Sequence, residues 1–127
     1  MLTAMTTNLM VESVEESIAF YTQVLDFTLV DSVKHQEGYL QFAILEKDQC
    51  LLMLQERRNL IEELPALANE KLVPCITLYL KITDFNNQYE VLKDTAYMTS
   101  ALHETFYGTR EFSIVDNTGY VLTFAES

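Results

Sequence analysis

Glycine and proline are scarce in this 127-residue chain, at three and two, and basic residues are few, with eight Lys and Arg against nineteen Asp and Glu. Three glycines cannot build a phosphate cradle, and the G-x-S-x-G, P-loop and Rossmann glycine patterns are all missing. The net charge of −11 argues against binding a nucleic-acid backbone, which needs clustered Lys and Arg, so no nucleic-acid partner is expected. The acidic balance reads first as an ordinary cytosolic surface and otherwise as a cleft tuned to a cationic ligand. No run of about 18 apolar residues occurs, so no membrane partner is expected either. The opening Met1 to Thr7 lacks the basic segment and apolar stretch of a signal peptide, and a soluble, cytoplasmic protein is the expectation. Cys50 and Cys75 lie in apolar, strand-like runs with no CxxC spacing and no adjacent histidine, which predicts two buried, reduced thiols.

What is present is a local grammar that occurs twice. Thr7, Leu9 and Val11 alternate with Thr6, Asn8 and Met10, which predicts a strand with one apolar face. Ser13 follows as a helix N-cap, with Glu16 placed for a capping box, so a helix is expected to start at Val14. Val14, Ile18, Tyr21 and Leu25 then recur at helical spacing to form its buried stripe. Downstream, the run from Thr77 to Phe85 repeats the order. Thr77 falls on Thr6, Asp84 on the cap Ser13, and Phe85, Tyr89 and Leu92 on Val14, Ile18 and Tyr21.

The rest of each copy reads as strands. In the first, Phe27 to Val30 is followed by a polar turn from Lys34 to Gly38, then by Tyr39 to Leu45, with Leu40, Phe42 and Ile44 on one face and Tyr39, Gln41 and Ala43 on the other. Cys50 to Gln55 makes a further strand, with Leu52 and Leu54 opposite Leu51, Met53 and Gln55. Arg57 to Val73 breaks the pattern: leucines among acids, with Pro65 in the middle, predict a connection with short helical turns. The second copy continues with a strand near Tyr97 to Leu102. Another runs from Arg110 to Val115, then an Asp116-Asn117-Thr118-Gly119 turn and a last strand over Tyr120 to Ala125.

The predicted fold class is thus α+β: two βαβββ modules forming a curved, mostly antiparallel sheet with helices on the outer face. The chain is expected to be one domain over residues 1–127, with module one at 1–56, a linker at 57–73 and module two at 74–127. The concave side collects Thr6, Asn8, Tyr39, Gln41, Met53 and Gln55 from module one. Thr77, Tyr79, Glu111, Ser113 and Thr123 come from module two. Such a surface is a natural small-molecule site, unless its own side chains or a partner fill it. Glu111 is the one carboxylate placed there, and it reads either as half of a salt bridge with Arg110 or Lys81 or as an anchor for a cationic or hydrogen-bonding ligand. His35 and His103 fall in predicted turns or loops.

Three stretches carry a resemblance. Val11-Glu12-Ser13-Val14-Glu15-Glu16-Ser17-Ile18-Ala19-Phe20-Tyr21, Phe106-Tyr107-Gly108-Thr109-Arg110-Glu111-Phe112 and Asp116-Asn117-Thr118-Gly119-Tyr120-Val121-Leu122-Thr123-Phe124 together resemble the vicinal-oxygen-chelate superfamily of glyoxalases, bleomycin-resistance proteins and extradiol dioxygenases. The last two resemble the bleomycin-resistance branch, although Asn117-Thr118 stands where that branch often has Pro-Asp.

The resemblance implies a divalent metal held by His and Glu on the concave strands. The matching positions here are Thr6, Met53, Thr77 and Thr123, with Leu51 in place of Met53 if the register slips by two. None is a usual ligand. No metal and no cofactor are therefore expected, and the implied role is a metal-free protein that sequesters or senses an aromatic or cationic small molecule without covalent chemistry. A metal-dependent lyase or dioxygenase with relocated ligands is the alternative. In this reading Tyr39, Tyr79, Phe106 and Tyr107 stack on the ligand, Gln41, Gln55, Glu111 and Ser113 orient it, and Met53 lines the cleft. The resemblance also implies a homodimer.

Overall fold

Ser13 caps the first helix as its position predicts: its Oγ accepts the Glu16 N–H at 3.1 Å, and α1 runs Val14–Leu25. Val14, Phe20, Tyr21 and Leu25 are buried along it, as is Ser17. Asp26 ends the helix in the left-handed region at φ 60°, and the Lys47 ammonium donates to the Leu25 carbonyl at 2.9 Å. This helix belongs to the first of two compact units, Met1–Leu72 and Val73–Ser127, in a computed structural model that describes residues 1–127.

The first unit holds strands β1 (Thr7–Val11), β2 (Thr28–Lys34), β3 (Leu40–Lys47) and β4 (Cys50–Glu56), in spatial order β1-β4-β3-β2. β1 lies parallel to β4, Thr7 opposite Leu52 and Asn8 opposite Met53, and the other pairings are antiparallel. Leu9, Val11, Leu52 and Leu54 are buried, so the apolar phase of β1 and β4 is the expected one. The expected phase of β3 is corrected. Ala43 and Leu45 are the fully buried residues, opposite Leu54 and Leu52, whereas Phe42 and Ile44 share the other face with Gln55 and Met53. Every residue from Phe42 to Leu45 is apolar, so either phase buries an apolar face, and only pairing with β4 selects one.

Beyond β4, helix α2 (Arg57–Glu63) and a 3₁₀ turn (Pro65–Leu67) make up the expected short helical turns. Leu60 is buried beneath them, while Leu64 and Leu67 stay exposed. Arg57 fastens the segment by donating to the Asn69 side chain at 2.9 Å and to the Asn69 carbonyl.

The second unit repeats the plan with β5 (Thr77–Ile82), α3 (Phe85–Leu92), β6 (Met98–Glu104), β7 (Arg110–Val115) and β8 (Val121–Glu126), ordered β5-β8-β7-β6. Its core is aromatic. Phe112 is fully buried, stacked on Phe124 at 4.9 Å and tilted against Phe85 and Tyr89 at 5.3 and 5.1 Å. Asp84 takes the cap position of α3, yet its carboxylate makes no capping bond. The Asp116 turn closes as expected, with Gly119 at φ 111°. The architecture is therefore α+β, two βαβββ modules each with a four-stranded mixed sheet. No helix is long and apolar enough to cross a membrane.

Two smaller expectations are corrected. Cys50 and Cys75 are both free and exposed, because Cys50 opens β4 directly after a turn and Cys75 precedes β5 without joining it. His103 lies on β6 and not in a loop.

Candidate functional site

Alternation along β5, β7 and β8 turns Leu78, Leu80, Phe112, Ile114, Leu122 and Phe124 to the helix side. It leaves Thr77, Tyr79, Glu111, Ser113 and Thr123 together on the open face. There Thr123 Oγ1 lies 2.9 Å from Thr77 Oγ1 and 3.0 Å from Ser113 Oγ, a chain of three hydroxyls across three strands.

Beside it, Glu111 Oε2 accepts three more hydroxyls: Tyr79 at 2.5 Å, Tyr107 at 2.6 Å and Thr109 at 3.0 Å. The expected salt bridge to Arg110 or Lys81 is absent, since Arg110 instead meets Glu126 at 3.1 Å and Asn86 at 2.9 Å. Burial works against ionisation of Glu111. The bonds from Tyr107, Tyr79 and Thr109 outweigh it and hold the carboxyl below its ordinary value. The same bond to Glu111, helped by burial, pushes the Tyr79 phenol up to about 12. Phe106 is fully exposed and packs edge-on against Tyr107 at 4.8 Å, in a turn closed by Thr105 and Thr109. All five second-unit residues predicted for the site, Tyr79, Phe106, Tyr107, Glu111 and Ser113, thus fall in one neighbourhood. The tyrosine hydroxyls, however, are committed to Glu111.

In the first unit the open face carries a chain of amides. Asn8 donates to Gln55 at 2.9 Å, Gln55 to Asn59 at 2.7 Å, and Asn59 to Gln41 at 3.3 Å. Gln41 and Gln55 are thereby joined through Asn59, while Met53 sits on the same face opposite Ile44. Tyr39 is elsewhere, in the turn before β3, stacked on His35 at 4.6 Å and under Arg58 at 5.0 Å. Arg58 also donates to Glu56 at 2.8 Å. Burial opposes the charge on Glu56, but the bonds from Arg58 and from the Arg58 and Asn59 amides keep its carboxyl low. An open polar depression of about 550 Å³ adjoins these groups, lined by His35, Gln36, Gln41, Asn59, Glu62 and Glu63.

Sequence reasoning missed Asn59 and Thr109. Thr109 has the alternation phase of Glu111 and Ser113, a signal that was available. Asn59 lies in the first turn of α2, which brings it back to Gln55 at the end of β4, and this shows only once the chain is known to turn helical at Arg57.

The donor set decides whether a divalent metal fits. At the positions matched to metal ligands, Thr77 and Thr123 are neutral hydroxyls already bonded to one another, Met53 offers a thioether, and Thr6 falls just outside β1. Nowhere do three or more His, Cys, Asp or Glu side chains come together. A divalent cation needs converging anionic or imidazole donors, and these residues do not fit one.

Comparison with known proteins agrees with the fold. The chain is similar to a glyoxalase/bleomycin resistance protein/dioxygenase from Nocardioides, at 21% identity and TM-score 0.77, covering 99% of this chain and 83% of that one. It is similar to TioX from Micromonospora sp. ML1, at 14% identity and TM-score 0.71 over 98% of both chains. A lactoylglutathione lyase from Agrobacterium tumefaciens matches at 16% identity and TM-score 0.67, over 98% of this chain and 93% of that one. No curated protein sequence matches. At such identities the structures speak for the fold alone, but the family model matches residues 4–124, nearly the whole chain. The chain belongs to the glyoxalase/bleomycin resistance protein/dioxygenase superfamily.

Proposed function

We propose that this chain is a metal-free small-molecule-binding protein that sequesters or senses an aromatic or cationic ligand and performs no covalent chemistry. One observation carries the reading. Thr77 and Thr123 bond hydroxyl to hydroxyl, with Ser113 bonded to Thr123 beside them, at positions where a metalloenzyme of the family needs imidazole or carboxylate ligands. Exposed rings at Tyr79, Phe106 and Tyr107 beside a buried carboxylate support a binding surface for flat or positively charged molecules. The family resemblance supports a homodimer, and the acidic composition suits the cytoplasm.

Metal analysis of protein purified without chelator tests the central claim. Substoichiometric metal is the expected result. One equivalent of nickel, zinc, iron or manganese per chain overturns it in favour of a metal-dependent lyase or dioxygenase with relocated ligands. Thermal shift against aromatic and cationic compounds tests the binding role, since a ligand that prefers the folded state raises the melting temperature by mass action. Light scattering tests the dimer, which fails if the mass equals the 14.6 kDa of one chain.

A further inference from the structure

Glu111 is 5% exposed and has no cationic partner. Arg110 is turned to Glu126 and Asn86, and Lys81, in phase with Tyr79 on β5, makes no ion pair. His103, the register partner of Glu111 on β6, lies with Nδ1 2.9 Å from the Ala101 carbonyl oxygen and forms no ion pair with the carboxylate. The carboxyl is nonetheless kept ionised: burial opposes the charge, and the three hydroxyl bonds, with a smaller contribution from His103, prevail.

The three hydroxyls all converge on Oε2. Oε1 accepts no hydrogen bond from the chain. Every sealed side-chain oxygen or nitrogen in the molecule has a partner, so Oε1 is not fully sealed from solvent. One oxygen is saturated and its twin has no hydrogen-bond partner in the chain. Around it stand Tyr79 and Tyr107, 47% and 53% exposed, with Phe106 fully exposed against Tyr107.

An anion is repelled here. A single carboxylate oxygen among neutral hydroxyls is too sparse a donor set for a divalent metal. A protonated nitrogen matches on both counts: its N–H makes a charge-assisted bond to Oε1, and its charge gains from the adjacent ring faces. Building on the binding role above, we propose that Glu111 Oε1 is the docking atom for an organic cation, an amine, amidine or guanidinium on a flat apolar body. Tyr79, Tyr107 and Thr109 serve as positioning residues that hold the carboxylate from its other oxygen.

The test uses the full chain with benzamidine and its neutral counterpart benzamide, followed by amide and carboxyl NMR. Benzamidine is expected to bind at least about tenfold tighter than benzamide and to shift the Glu111, Ser113 and Tyr79 signals. Its affinity should fall as acid protonates the Glu111 carboxyl. Glu111→Gln should cancel the preference of benzamidine over benzamide. Tyr79→Phe keeps the ring but removes one bond to Oε2, and should move the midpoint of that pH profile upward. If Glu111→Gln does not fold, the wild-type carboxyl decides: saturating benzamidine must lower the Glu111 midpoint, and an unmoved midpoint overturns the proposal. Equal binding of the two probes, or shifts confined to the first unit, also overturns it. Those outcomes leave the metal-free binding role standing, because that role is read separately from metal content and from neutral ligands.

Discussion

The Tyr79 phenol on β5 reaches over β8 to donate to Glu111 on β7, a 2.5 Å bond between strands that are not neighbours in the sheet. It ties an exposed edge strand to a buried carboxylate, so each group reports on the other. Among the seven tyrosines, Tyr79 is expected to ionise near pH 12, well above the ordinary value of 10.0. Its folded value is raised, so its contribution to stability is full below pH 10 and is lost as the pH rises towards 12. An absorbance titration checks this, and Glu111→Gln should return the late-titrating phenol towards 10.

Acid tests the other partner. The Glu111 carboxyl is lowered on folding, so the stability it confers is present above the ordinary carboxyl value of 4.5 and is lost as the pH falls through the folded value. Denaturant unfolding of the wild type and Glu111→Gln across that range should show a gap that closes on acidification. A gap independent of pH contradicts the assignment.

Phe112 is the keystone of the second unit's core, in ring contact with Phe85, Tyr89 and Phe124. Phe112→Ala removes the most interdigitated ring and leaves a cavity among three others, at an expected cost of about 3–5 kcal/mol. Equilibrium unfolding measures it, and hydrogen exchange should show the loss concentrated in residues 73–127.

The side chain of Asp116 braces the turn before β8. Its Oδ1 accepts the amides of Thr118, Gly119 and Tyr120, each at 2.9 Å. Asp116→Ala strands these donors and should cost about 1–3 kcal/mol. Asp116→Asn keeps an acceptor oxygen and should cost less than half as much, a ratio read directly from the two unfolding midpoints.

Cys50 and Cys75 should both react with a thiol reagent in native protein, giving two equivalents per chain without denaturant. One slow equivalent would show that one of the two is shielded in solution.

The doubled fold was legible because its signals are local: the cap at Ser13, the stripe through Val14, Tyr21 and Leu25, and the repeat of both from Thr77. The open face of the second unit was legible for the same reason, since Glu111 to Ile114 alternates polar and apolar residues and places Glu111 and Ser113 on one face. β3 was not, because Phe42 to Leu45 is apolar at every position and its phase is decided by a partner strand. The cysteines were misread because an apolar neighbourhood in sequence says nothing of whether a strand ends at that residue. The tyrosine partners of Glu111 were beyond reach, since they depend on a strand two places away and on the turn through Gly108.

The parallel ladders β1 with β4 and β5 with β8 have a bearing on how the protein is made. In each half the opening strand finds its bed only against the closing one, so a ribosome that has delivered Lys47 has delivered three strands but no place for the first. Order of synthesis and order of pairing therefore differ: Thr7 to Val11 has its partner strand only once Glu56 has been made, and Thr77 to Ile82 only once Glu126 has.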